Sequence, residues 1–342
     1  MSLVPGLISI IMSNFNTPEE YLREAIESVL IQTYDNFEFI IIDDCSTDNS
    51  LEIIRSYDDE RIVILKNEKN MGITKSLNRG LSVATGEFVA RMDADDICLP
   101  KRFEKQVDFL RENTDVIVCG TAAEFVGEWQ KHNSNRIVLR NIPKRDQYRI
   151  HLLFGNYPNI VHSSAMFNNT KLQEHGIRYN EKYIYAQDYR MWISCSEVAE
   201  CASLDDVLMQ ITVRDGTIST SKKELQEKCV QGIIQEQFNK LHLVVSPEVL
   251  QFHRCLFPRA NVIYHLAIKE WFEKIIAANK TYKEFNQKEM QKLLRKKWAE
   301  ISYYALAKTR NPITMLKILL NVPLKYWYVL FQIYKYRRSR GR

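Results

Sequence analysis

The sequence predicts an α/β protein, a mostly parallel sheet with helices on both faces, followed by a helical C-terminal region. Three observations predict it. Short apolar, β-branched runs alternate with amphipathic stretches over the first 120 residues, the pattern of strand–helix–strand units with right-handed crossovers. Two of those runs end in aspartate clusters, Asp43-Asp44 and Asp93-Ala94-Asp95-Asp96. Beyond Ser219 nearly every stretch carries helical periodicity.

Leu7–Ser13 is the first run, apolar enough for a strand buried on both faces. Thr17-Pro18-Glu19-Glu20 opens a helix, with Thr17 and Glu20 placed for a capping box and Pro18 for the first turn. Leu22, Ala25, Ile26, Val29 and Leu30 form its inward stripe. Phe37–Ile42 is a second strand, and a helix follows near 49–57, with Asp48 suited to cap it. Arg61–Leu65 is a third strand, and a helix near 74–84 turns Leu77, Leu81 and Ala84 to one side. Glu87–Met92 is the fourth. Pro100 starts a helix with Phe103, Val107 and Leu110 inward, and Val116–Cys119 is a fifth strand. From about residue 122 the rhythm loosens, with a helix at Asp188–Val198 and a strand at Val207–Val213. Helices are expected at 222–243, 247–278 and 286–309, then two shorter pieces bounded by Pro312 and Pro323. The small, polar stretch 216–221 suits a linker. The chain thus divides into a domain over 1–218, with halves at about 1–121 and 122–218, and a helical region over 219–342.

The 342 residues are 45% hydrophobic and 26% charged, an ordinary globular balance. Seven cysteines lack any C-x-x-C spacing, which disfavours zinc sites and a disulfide framework and suggests a reducing compartment. No signal-peptide pattern opens the chain. The most apolar late run, Tyr326–Tyr334, is far short of the roughly 20 residues that span a bilayer. A soluble or peripheral cytoplasmic protein is expected. Net charge is +5, and the last eight residues carry five bases and no acid. That tail suits an anionic surface. With no nucleic-acid-binding fold behind it, a lipid surface is the better fit.

In open parallel sheets ligands bind beyond the carboxyl ends of the strands. Those ends carry Ser13-Asn14-Phe15-Asn16, Asp43-Asp44 and Asp93-Ala94-Asp95-Asp96, so five acids crowd one edge. Their mutual repulsion calls for a cation or a basic ligand. A D-x-D pair suits a hard divalent ion held jointly with phosphate oxygens. Asp95 is the first-choice ligand, and Asp93 assists it or holds a ribose. Arg91, on a buried strand, needs an acidic partner from this cluster.

Four blocks in order resemble the motifs of the family 2 glycosyltransferases with the GT-A fold: Ser9–Asn16, Ile41–Asp48, Asn70-x-Gly72 with Asn78-x-Gly80, and Ala90–Asp96. The similarity continues more loosely to about residue 215. The resemblance implies a GT-A, Rossmann-like catalytic domain, with a nucleotide-binding half and an acceptor half. It implies an enzyme that moves a sugar from a nucleotide-diphosphate donor, a UDP-hexose by preference, to an acceptor hydroxyl with inversion, using Mn2+ or Mg2+. It implies that Ser13 and Phe15 line the base pocket, Phe15 by stacking, and that Asn16 closes the turn. Asp44 would accept the imide hydrogen of uracil, and Asn70 would shape the loop near the base. Lys75 or Arg79 would face the diphosphate, and Arg91 would pair with the acids. Asp93 and Asp95 would hold the metal. Asp188, in Ala186–Trp192, falls at the catalytic base; many members carry an acidic pair there, whereas Gln187 precedes Asp188 here. His162, in Pro158–Phe167, would touch donor phosphate or acceptor. His151 and His175 read as structural.

A polysaccharide-building role would make the acceptor a glycan or a lipid-linked glycan at the inner face of a membrane. The C-terminal helices mix Trp271, Trp298 and Trp327 with many bases, which suits membrane contact through the basic tail and equally a helical cap or homodimer face. Two rivals remain. A sugar-phosphate nucleotidyltransferase would want a glycine-rich basic loop where Ser13-Asn14-Phe15-Asn16 stands, and a non-catalytic sugar-nucleotide or membrane-surface binding protein would bind donor without turnover.

Overall fold

The structure is a computed structural model and describes residues 3–127, 136–138, 141–155, 159–214, 222–254 and 265–308, with Leu320. The linker expected at 216–221, the apolar run at 326–334, the basic tail and the helices bounded by Pro312 and Pro323 lie outside the described residues. Two compact units emerge, Met1–Arg145 with Pro158–Val230, and Asp146–Tyr157 with Gln231–Arg342.

Among the described residues, the first unit is built on one sheet of nine strands. These are β1 (Val4–Asn14), β2 (Phe37–Asp43), β3 (Ile62–Lys66), β4 (Gly86–Asp93), β5 (Ile97–Cys98), β6 (Val116–Gly127), β7 (Arg136–Val138), β8 (Met166–Asn168) and β9 (Glu200–Val213). The order is β3-β2-β1-β4-β8-β6-β9-β5, with β7 paired to β6. β3, β2, β1 and β4 are mutually parallel, as are β6 and β9. The expected fifth strand is present as β6 but does not adjoin β4. The antiparallel β8 stands between them.

Helices α1 (Glu19–Leu30), α2 (Ser50–Arg55), α3 (Ile73–Val83), α4 (Arg102–Glu112), α5 (Arg145–Leu152), α6 (Asn169–Glu174) and α7 (Gln187–Val198) follow or interrupt the strands. The period-2 alternation of strands divides the core between the two faces of the sheet. Ile8, Ile10 and Met12 of β1, Phe39 and Ile41 of β2, and Phe88, Ala90 and Met92 of β4 pack with α1, α2 and α4 through Leu22, Ile26, Val29, Ile53, Phe103 and Val107. Residues of the other parity, Ile11 and Ile42 among them, meet α3. Gly80 permits that approach: a Cβ there would lie 2.6 Å from Cγ2 of Ile11. The expected capping box does not form. α1 begins at Glu19 after Pro18, which makes no side-chain cap, because Pro18 cannot supply an oxygen and Thr17 lies one position too early. Glu19 instead pairs with Arg23 one turn on.

The second unit contains α5 from Asp146 onward and α8 (Lys223–Lys240) from Gln231 onward, then α9 (Pro247–Arg254), α10 (His265–Tyr282) and α11 (Gln287–Lys308). Ile268, Phe272 and Ile275 of α10 and Met290, Leu294 and Trp298 of α11 are buried, at the spacing of inward helix stripes. His253 is fully buried beside them. Its ring stacks on Phe154 at 4.4 Å. Its Nδ1 accepts the Trp271 indole N–H at 3.1 Å, so the proton sits on Nε2, 2.9 Å from the Leu153 carbonyl. Among the described residues no helix is long and apolar enough to cross a membrane.

Candidate active site

Strand register brings the aspartate-tipped ends into one rank. Ser13 is paired across from Asp93 on one side and Ile42 on the other, and Asn14 from Asp43. Parity then fixes direction: Arg91 and Asp93 share a face with Ile11 and Ser13, away from the α1 and α4 side. The result is a cleft of about 680 Å³ beyond the carboxyl ends of β1, β2 and β4.

At one end, Phe15 is 47% exposed and lines the cleft. Asn16, at φ 51°, donates its backbone N–H to Ser46 and accepts the Thr47 N–H at 2.8 Å, so it ties the β1 loop to the β2 loop. Asp44 is buried, and its oxygens accept from Asn67 Nδ2 at 2.6 Å and from the backbone N–H groups of Met71 and Gly72 at 2.8 Å each. Gly72 stands at φ 81°, a conformation open to glycine without strain, and this lets its N–H face Asp44. Three donors leave one of about four carboxylate lone-pair positions for a ligand.

At the centre, Arg91 is 3% exposed and donates to Asp93. Its Nε and Nη1 have no hydrogen-bond partner, an expensive state for a buried donor unless an anion completes it. Arg214, at the end of β9, donates Nε and Nη2 to Asp95 at 3.2 and 3.0 Å. Burial and the neighbouring Asp93 charge push the Asp95 carboxyl above its ordinary value, against the pull of Arg214. Asp96 is buried and accepts the Thr212 backbone N–H at 3.0 Å; burial, then Asp93 and Asp95, raise its carboxyl strongly. Beneath this row Arg102, fully buried on α4, donates to the carbonyls of Arg91 and Ala165 and to Gln106. The Arg91 N–H meets the same Ala165 carbonyl. These bonds fasten the short turn His162–Ser164 to the end of β4.

On the far wall, Asp188 in the first turn of α7 accepts its neighbour Tyr189 N–H at 2.7 Å. Burial raises its carboxyl above the ordinary value. It does not cap the helix, since the N-cap position is Ala186. His162 Nε2 meets the Tyr179 hydroxyl at 2.9 Å, and burial followed by the Arg91 charge holds its ring well below the ordinary imidazole value. A neutral His162 offers a phosphate no positive charge. Asn78 fixes Tyr179 by two bonds, accepting its N–H at 3.0 Å and donating to its carbonyl at 2.9 Å.

Ser13, Phe15, Asn16, Asp44, Asn70, Arg91, Asp93, Asp95, His162 and Asp188 therefore share one cleft. Lys75 does not join them. It is exposed on α3, opposite the stripe that carries Leu77 and Leu81. Arg79 turns to the Lys66 carbonyl and Asn67. Sequence reading missed Arg214, Tyr185 and Gln226, which also line the cleft, and the buried braces Asn67 and Arg102. A buried-strand arginine such as Arg91 advertises itself; an arginine at the end of a late strand does not.

Among the described residues, no three His, Cys, Asp or Glu side chains are grouped to hold a metal by themselves. Asp93 and Asp95 are two partly exposed carboxylates, each facing a guanidinium. Ions such as Mg2+ are commonly held by one or two carboxylates plus substrate phosphates. The donor set fits a divalent ion that shares its shell with a diphosphate.

The family described as "Glycosyl transferase family 2" matches residues 9–176. An uncharacterized glycosyltransferase of Methanocaldococcus jannaschii, MJ1057, is 35% identical over 225 residues, covering 64% of this chain and 75% of the relative. The amylovoran biosynthesis glycosyltransferase AmsE of Erwinia amylovora is 32% identical over 222 residues, covering 64% and 79%. In fold, the chain resembles S. aureus TarS, solved in complex with UDP-GlcNAc. The TM-score is 0.56 at 21% identity, with 88% of this chain and 90% of that one covered.

Proposed function

The chain belongs to glycosyl transferase family 2, and from that premise we propose that it moves a hexose from a uridine-diphosphate donor to an acceptor hydroxyl with inversion. The observation that carries this reading is the convergence of Phe15, Asp44, Arg91, Asp93, Asp95 and Asp188 on one cleft. Phe15 offers its exposed ring to a base. Asp44, held by the 67–72 loop, keeps one lone pair for an imide N–H. Arg91 presents unpartnered N–H groups beside the acids, where a phosphate oxygen would complete them. Asp93 and Asp95 would hold Mn2+ or Mg2+, which when bound offsets charge on the leaving diphosphate.

Asp188 acts as general base. Burial makes it a stronger proton acceptor than an ordinary carboxylate, and it takes the proton of the attacking hydroxyl as that oxygen bonds to the anomeric carbon. One displacement by one base gives inversion. The acceptor is a glycan or lipid-linked glycan, a reading supported by the amylovoran role in the name of AmsE, and the basic tail at 335–342 draws the protein to the anionic inner face of a membrane.

A donor screen tests the proposal. Thermal shift and product release are followed across uridine, guanosine and thymidine diphosphate sugars, with and without manganese. Stabilisation by one sugar nucleotide, enhanced by the ion, is expected; no response to any of them would end the reading. Separately, co-sedimentation with anionic liposomes should be lost on deleting 313–342, and unchanged binding would remove the membrane contact.

A further inference from the structure

Arg214 has no part in the transfer described above, yet it occupies a carboxylate on which that transfer depends. Its Nε and Nη2 converge on a single oxygen, Oδ2 of Asp95, at 3.2 and 3.0 Å. A guanidinium and a divalent cation on one carboxylate repel each other unless an anion lies between them. Arg214 must therefore leave Oδ2, or gain an anionic partner, before a divalent cation can use that atom.

Its surroundings suit an exchange. The side chains of Arg214 and Asp95 are 29% and 23% exposed, whereas Arg91 is locked at 3%. The guanidinium also lies over the face of Tyr21, 5.5 Å from the ring centroid, an attraction that fixes no single hydrogen-bond direction. Two residues earlier, the Thr212 N–H is held by Asp96, so the strand stays pinned to the acidic turn while the side chain reorients. The planar fork of arginine matches phosphate oxygens as well as carboxylate, and the buried Arg91 beside it already shows two unpartnered N–H groups.

We propose that Arg214 is an exchangeable counter-ion: it holds Asp95 while no donor is present and passes to the donor's diphosphate when that arrives, freeing Asp95 for a divalent cation. This rests on the diphosphate-donor reading and adds an order of binding to it, in which nucleotide and cation enter together and the cation alone is refused.

The full-length protein and its Arg214→Gln and Arg214→Lys variants are titrated with Mn2+ alone, read by the paramagnetic resonance of free Mn2+. They are then titrated with UDP and UMP at saturating Mn2+, read by calorimetry. Arg214→Gln should bind Mn2+ alone about tenfold tighter and UDP about tenfold weaker, the worth of one charge-assisted hydrogen bond. UMP affinity should stay as it was. Arg214→Lys, which keeps the charge but loses the fork, should shift both in the same senses by less, and it decides the matter if Arg214→Gln does not fold. Mn2+ and UDP affinities that move together, or do not move, overturn the exchange. If the wild type binds no nucleoside diphosphate at all, the donor reading fails instead, and an unchanged Mn2+ titration in the variants would overturn the counter-ion role as well.

Discussion

Asp44 and Asp188 are carboxylates in one cleft, and their surroundings give them different work. Asp44 accepts from three donors of the following loop, so it is a keystone of that loop whatever it binds. Asp44→Ala should cost about 1–3 kcal/mol, the penalty for stranding buried donors, and should weaken nucleotide binding together with the urea midpoint. Asp188 stands apart from such bracing and carries a raised carboxyl. Asp188→Asn should lower kcat by about 10² to 10⁴ with donor affinity kept; full turnover by that variant would remove the base role. The sign of the pH effect follows, since a base works only unprotonated. The rate should fall as pH drops through the raised Asp188 value, a decline that begins at higher pH than an ordinary aspartate would give. Both residues were legible in the sequence, one from its place at a strand end and the other from a motif. Asn67, which joins Asp44 to Ser76 and Arg79, carries no signal that separates it from any loop asparagine.

At the level of elements, α3 shows what helical phase adds to a motif. Asn78 and Gly80 sit close in sequence and do different things. Asn78 clasps Tyr179, while Gly80 lets the helix lie against β1. Gly80→Ala gains about 1 kcal/mol of helix propensity, yet its Cβ would meet Cγ2 of Ile11 at 2.6 Å. Overpacking of a buried β-branched neighbour costs about 1–3 kcal/mol, so the melting temperature should fall, and a rise would show that α3 can slide outward. The same phase keeps Lys75 out of the cleft lining. With Leu77 and Leu81 inward, position 75 faces solvent. Strands β1, β2 and β4 were legible because burial on both faces makes them continuous apolar runs, and the edge strand β3 because its run Ile62–Leu65 is β-branched and apolar though only half-buried. β8 was not: three residues, Met166–Asn168, hold too little pattern to announce a strand, and its partners β4 and β6 are distant in sequence.

For the whole molecule, buried imidazoles contribute to the response to acid, with the raised carboxyl of Asp96 acting in the opposite sense. Burial lowers His253 to about 4 and His151 to about 4, the latter with help from Lys297 and Lys296. Between that value and the ordinary 6.5, the unfolded chain binds protons that the folded one refuses. Stability is complete above pH 6.5 and is lost as pH falls through the window, on the order of 2 kcal/mol per group by pH 5. Urea midpoints from pH 7.5 to 5 should track this, and because His162 is held low in the same sense, His253→Gln should flatten the slope by about a third. A slope that stays as steep would assign it to other groups.

The insertion of β8 also has a bearing on biogenesis. The sheet β3-β2-β1-β4 is complete once Asp93 has been made, but the outer edge of β4 gains its neighbour only with Met166–Asn168. At about 5–20 residues per second of synthesis, that edge waits several seconds with its backbone groups unpaired, a template for pairing with other nascent chains. Ribosome-released fragments ending between the two points should aggregate, whereas fragments reaching past β9 should stay dispersed.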